Sequence, residues 1–108
     1  MKKVKRDVFQ VIADPTRRAI IALIAINAMT PGAIAEHFKT TRQAVSKHIK
    51  VLVESEIVKQ EIKGREIYYH FDPYKIKEVV DFTEPFRKIW DDRFNKLESV
   101  MKKYKERT

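Results

Sequence analysis

Arg42, Gln43, Ser46, Lys47 and Lys50 are the residues of this 108-residue chain whose types and spacing are fitted to chemistry. At about 100° per helical residue they share one arc of about 140°, while Val45, His48, Ile49 and Leu52 point the other way. Arg and Lys donate to phosphate and guanine, Gln pairs with adenine, and Ser serves several base edges. Such a face is suited to the major groove of duplex DNA. The competing explanation for a charge-rich helical face is plain solvation. However, Phe38 to Val53 contains four Lys or Arg and no Asp or Glu, whereas a merely soluble face mixes signs. Gln43 and Ser46 also lie near the helix N-terminus, the end that such helices aim at bases, with Thr41 beside them as the expected N-cap.

The elements that must position this face can be read on either side of it. Thr30 is placed as N-cap and Pro31 at the first position of a preceding helix, with Ile34, Ala35 and Phe38 on one side. Residues 30–54 therefore read as a helix-turn-helix. After it the period changes to two. Val58, Gln60 and Ile62 alternate with Lys59, Glu61 and Lys63, and Ile67, Tyr69 and Phe71 alternate with Tyr68 and His70. Gly64 supplies the freedom for a tight hairpin between them, so residues 58–71 form a β-wing with Lys63 and Arg65 at its tip, within reach of a groove or backbone.

Upstream, Val8, Phe9, Val11 and Ile12 predict a short first helix, and Asp14-Pro15 the cap and first turn of a second. Its run Ala19 to Ile26 is apolar nearly all round and is expected to be the central core helix, ended by Asn27 in a left-handed conformation. Arg17 and Arg18 beside it are assigned to an ion pair within the chain or to packing of their aliphatic stems rather than to DNA. Downstream, residues 73–104 are helical in period. Trp90, Phe94, Leu97, Met101 and Tyr104 step by four and three residues, with Phe86 and Ile89 upstream, which is the spacing of a seam between two helices. Covering so many large apolar groups calls for a second copy. Pro85 is expected to kink or split this helix near 82–84.

Composition sets the bounds. The net charge of +8 and pI near 9.8 imply an anionic partner, nucleic acid or an acidic membrane surface. The longest apolar run, Ala19 to Ile26, is too short for a bilayer of about 30 Å, so no membrane insertion is expected. Lys2, Lys3, Lys5 and Arg6 are not followed by a signal-type apolar stretch, and a cytoplasmic location is expected. The absence of cysteine excludes disulfides and thiolate metal sites. No nucleophile motif, phosphate loop or metal-ligand spacing occurs, and His37, His48 and His70 read as surface or packed positions; no enzyme activity, cofactor or metal site is expected.

The segments Ala13-Asp14-Pro15-Thr16-Arg17-Arg18-Ala19-Ile20 and Val45-Ser46-Lys47-His48-Ile49-Lys50-Val51-Leu52 resemble the hallmark segments of ArsR/SmtB-type winged-helix repressors. The region of Glu84-Pro85-Phe86-Arg87 and Trp90 is similar to the SdpR-like autorepressor branch. The resemblance implies a mainly α fold with a two-stranded β-wing, one winged helix-turn-helix domain over residues 1–108. It further implies a homodimer whose first and last helices form the interface, through Val8, Phe9, Ile12, Phe86, Ile89, Trp90, Phe94, Leu97 and Met101. Two recognition helices would then read an inverted repeat in double-stranded DNA, with Gln43, Ser46 and Lys47 on bases and Lys50 on the backbone. Repression, including of its own promoter, is the implied function. An inducer-responsive sensor of the same fold, or a basic module for RNA or an acidic protein, is the alternative. Two departures from the family pattern stand out. The metal-ligating cysteines, and the histidines of the terminal helix, that relatives use are missing. Glu56 also occupies the place after the recognition helix where relatives favour glycine, so that helix end is expected to take a different shape.

Overall fold

A computed structural model describes residues 6–106; the basic positions Lys2, Lys3 and Lys5 lie outside them. Five helices and one hairpin run in the order α1 (Val8–Ile12), α2 (Pro15–Ile26), α3 (Pro31–Ala35), α4 (Arg42–Glu54), β1 (Val58–Lys63), β2 (Glu66–Phe71) and α5 (Lys77–Glu106). They cluster as two compact units, residues 1–77 and 78–108.

In the first unit each helix start is fixed by a local side chain. Asp7, Asp14, Thr30 and Thr41 have extended backbones and accept the N–H of Phe9, Arg17, Ala33 and Ala44 respectively. Each cap satisfies a donor that the first turn cannot. The Asp14 carboxyl is held below its ordinary pKa, chiefly by the Arg17 backbone N–H and further by the positive charge nearby, against a smaller opposing effect of burial. The helices close around Ile20, Ile24, Ile34, Val45, Ile49, Leu52, Ile57 and Val58, joined by Val8 and Val11 from α1. A fully buried aliphatic side chain of this kind contributes about 1.5–3 kcal/mol.

The end of α4 answers the question raised by Glu56. That residue adopts φ 62°, the left-handed conformation that favours glycine. The Ile57 N–H donates to the Leu52 carbonyl and the Glu56 N–H to the Val53 carbonyl, both at 3.0–3.1 Å. This is a Schellman termination, and Leu52 and Ile57, both fully buried, close it with an apolar contact. Glu56 thus takes the left-handed conformation in spite of the roughly 1–2 kcal/mol that a side chain costs there.

Three expectations are corrected. Asn27 leaves α2 extended (φ −147°, ψ 141°) rather than left-handed. The chain must straighten here because Met29 pairs with Tyr69, exchanging N–H···O bonds of 3.0 and 2.7 Å, and so adds one rung to the wing. Secondly, α2 is not buried all round. Ile20 and Ile24 are enclosed, but Ile26 is 78% exposed. Thirdly, Pro85 does not split the last helix, which runs unbroken over 30 residues. Proline removes one backbone donor, and one lost hydrogen bond does not end a helix of that length. Its start falls at Lys77 rather than Pro73, because Asp72 accepts the Tyr74 N–H and residues 73–76 form a separate turn closed from Ile76 N–H to the Pro73 carbonyl.

The second unit is α5 itself. None of its residues is buried. Phe82, Phe86, Ile89, Trp90, Phe94, Leu97, Val100, Met101 and Tyr104 are all more than half exposed, Trp90 at 72%. No helix among the described residues is long and apolar enough to cross a membrane.

Candidate nucleic-acid interface

The recognition face is held outward by the core beneath it. Val45, Ile49 and Leu52 are buried at one side of α4, and their four- and three-residue steps force the intervening positions to the opposite side. Arg42, Gln43, Ser46, Lys47 and Lys50 are accordingly all exposed, as is Thr41. Thr41 has a second duty, because its hydroxyl oxygen caps α4 at 3.1 Å from the Ala44 nitrogen. Arg42, Gln43 and Ser46 line one shallow hollow at the helix N-terminus. Fixed donors facing outward without an acid among them are what a phosphate-lined groove requires.

The turn before α4 sets this geometry. After α3, N–H groups of Glu36, His37 and Phe38 donate to the carbonyls of Gly32, Ile34 and Ala35 at 3.1–3.2 Å, winding the chain past the helix end. Ile34, fully buried, anchors α3 against α4. Gly32 was not among the residues marked by the sequence. A methyl group added there would come within 2.9 Å of the Arg42 Nη2 atom. The spacing of charges carries no signal for that contact, because it arises only when two helices meet.

The wing is antiparallel and in register from Val58 opposite Phe71 to Lys63 opposite Glu66, leaving a two-residue loop of Gly64-Arg65. Gly64 has φ 62° and Arg65 does not share that sign, the pattern of a type II′ turn with glycine at its first central position. Lys63 and Arg65 are both exposed at the tip, but they differ in freedom. The Lys63 ammonium lies 4.0 Å from Glu61 and 5.6 Å from the Tyr68 ring centroid. The Tyr68 hydroxyl donates to Glu66 at 2.9 Å, and that bond raises its pKa above the usual phenol value. Arg65 makes no such contact among the described residues.

Arg17 and Arg18 are occupied within the chain, although by carbonyls rather than by carboxylates. Arg17 Nε donates to the Val11 carbonyl at 2.7 Å, and Arg18 Nη1 to those of Ile12 and Ala13 at 2.8 and 2.9 Å. Together they satisfy the open end of α1, which is too short to do so itself. His48, half-buried on α4, is packed beside this cluster, 3.4 Å from Arg17 Nη1 and 4.0 Å from Asp14. It is a contact between α2 and α4.

Of the α1 residues expected at an interface between copies, Val8 is buried in the core of its own unit, and Phe9 and Ile12 are half-buried. On α5, Phe86, Ile89, Trp90, Phe94, Leu97 and Met101 are all open.

Comparison with known proteins places this geometry. Residues 12–61 match a family described as a helix-turn-helix domain. Over 80 residues the chain is 36% identical to the transcriptional repressor SdpR of Bacillus subtilis (strain 168), covering 74% of this chain and 89% of that protein. Among solved structures, a possible transcriptional regulator for arsenical resistance aligns with a TM-score of 0.65 at 32% identity, covering 76% of this chain and 92% of that one. An ArsR-like transcriptional regulator from Rhodococcus sp. RHA1 aligns with a TM-score of 0.64 at 25% identity, covering 86% and 88%.

Proposed function

Because the chain belongs to the ArsR/SmtB-type helix-turn-helix transcriptional regulators, we propose that it is a cytoplasmic, homodimeric repressor that covers an inverted-repeat operator and blocks transcription, including that of its own gene. The observation that carries the reading is the outer face of α4, where Arg42, Gln43, Ser46, Lys47 and Lys50 are exposed above a buried apolar back. In this mechanism Gln43, Ser46 and Lys47 reach base edges, while Thr41, Lys50, Lys63 and Arg65 hold the duplex by its phosphates. Phosphate contacts supply affinity through counterion release, and the base contacts supply choice.

The exposed apolar stripe of α5 from Phe86 to Met101 supports pairing of two copies, with Phe9 and Ile12 a smaller second patch. A dimer sets its recognition helices about 34 Å apart, one turn of duplex, and so demands a partly palindromic site. Selection from random duplexes at near-physiological salt tests the proposal. Enrichment of an inverted repeat is the expected result. Binding to all duplexes alike, or tighter binding to RNA or to acidic proteins, would refute it. Repeating the selection with divalent ions present is expected to leave the enriched sequence and its affinity unchanged.

A further inference from the structure

We propose that Gly32 is a positioning residue for DNA binding: it seats the Arg42 guanidinium against α3, so that Arg42 clamps a DNA phosphate where the two helices of the motif meet. The inference rests on the DNA-binding reading above and adds to it a residue outside the recognition helix. Three observations meet here. A Cβ built on Gly32 lies 2.9 Å from Arg42 Nη2 and 3.7 Å from Arg42 Cζ, and apart from its own helix nothing else comes within 4 Å. The guanidinium thus occupies the space a side chain at 32 would take. Arg42 has no ion pair or hydrogen bond among the described residues, so its five donors are unengaged. It also lines the hollow shared with Gln43 and Ser46.

A free arginine samples many rotamers, and ordering it on binding costs affinity. Resting the planar group on a bare backbone removes part of that cost without neutralising the charge, which a carboxylate would do. The position also selects phosphate over a base edge. Arg42 leans across the turn toward α3, and the first helix of such a motif is the one that crosses the DNA backbone. Gly32 has an ordinary helical backbone, so alanine is compatible with it and is the better helix former.

The test is a double-mutant cycle on an operator selected as above, comparing wild type, Gly32→Ala, Arg42→Ala and the double variant by equilibrium binding across a salt series, with thermal melts of each. Gly32→Ala is expected to melt no lower than wild type. It should bind every duplex about tenfold more weakly, the loss of one charge-assisted contact, with a salt slope reduced by about one. The double variant should be no weaker than Arg42→Ala alone. Wild-type affinity in Gly32→Ala, wild-type affinity in Arg42→Ala, or additive losses in the double variant would each overturn the proposal while leaving the regulator reading intact. A sequence-selective loss in Arg42→Ala would overturn the phosphate assignment. Failure of the wild type to bind any duplex would instead overturn the parent reading, and this inference with it.

Discussion

Residues 1–77 and α5 solve opposite problems with their large apolar side chains. The first unit encloses ten of them and turns its cations outward. The last helix encloses none and turns its aromatics outward. Both are amphipathic in sequence, so pattern alone does not separate them. The difference is closure. In the first unit α2, α3, α4 and the wing supply faces to one another, whereas α5 has a single stripe and, on our proposal, finds its partner in a second copy. One region is expected to report intrinsic stability and the other protein concentration.

The largest effect that would break this contrast is predicted for Trp90→Glu combined with Phe94→Glu. Charge on the stripe should yield monomers by sedimentation and an operator affinity lower by roughly 10²-fold or more, since the second half-site is lost. A dimer that persists would show that α5 is not the interface. Next, Leu52→Ala should destabilise by about 2–5 kcal/mol in denaturant titrations. That loss should be independent of protein concentration, whereas Leu97→Ala should cost stability that depends on concentration. Equal concentration dependence for both would erase the distinction.

A smaller effect sharpens the contrast within the first unit. Gln43→Ala is expected to relax sequence choice by about 1–3 kcal/mol at one base pair. Lys50→Ala should weaken all duplexes alike and lower the salt slope by about one. Identical profiles for the two in competition binding would contradict the division into base and phosphate contacts. The smallest effect concerns a cap. Asp14→Ala should cost about 1 kcal/mol at neutral pH. Because the folded state holds the Asp14 carboxyl below its ordinary value of 3.8, that contribution is fully present above the unfolded pKa and disappears as pH falls through the folded one. The gap between wild type and variant in chemical melts should therefore close in acid, and a gap constant with pH would count against the assignment.

Much of the first unit was legible because its signals are local. Thr30, Thr41 and Asp14 cap the helices they were expected to cap, and Gly64 turns the hairpin. The outward placement of Gln43, Ser46 and Lys47 follows from helical geometry once Val45, Ile49 and Leu52 are anchored. Asn27 was misjudged because its conformation answers to Tyr69, far along the chain, rather than to its own propensity. Of the kink or split expected at Pro85, the split does not occur, since a local penalty was given more weight than a long helix gives it.

By itself the sequence determined element types, caps and the sign of the outer face of α4, because these depend on neighbours within a few residues. Only the tertiary structure decided that Arg17 and Arg18 terminate α1 and that Gly32 makes room for Arg42. Each of those depends on groups brought together from separate elements, and the distance between them in space is not a function of their distance along the chain.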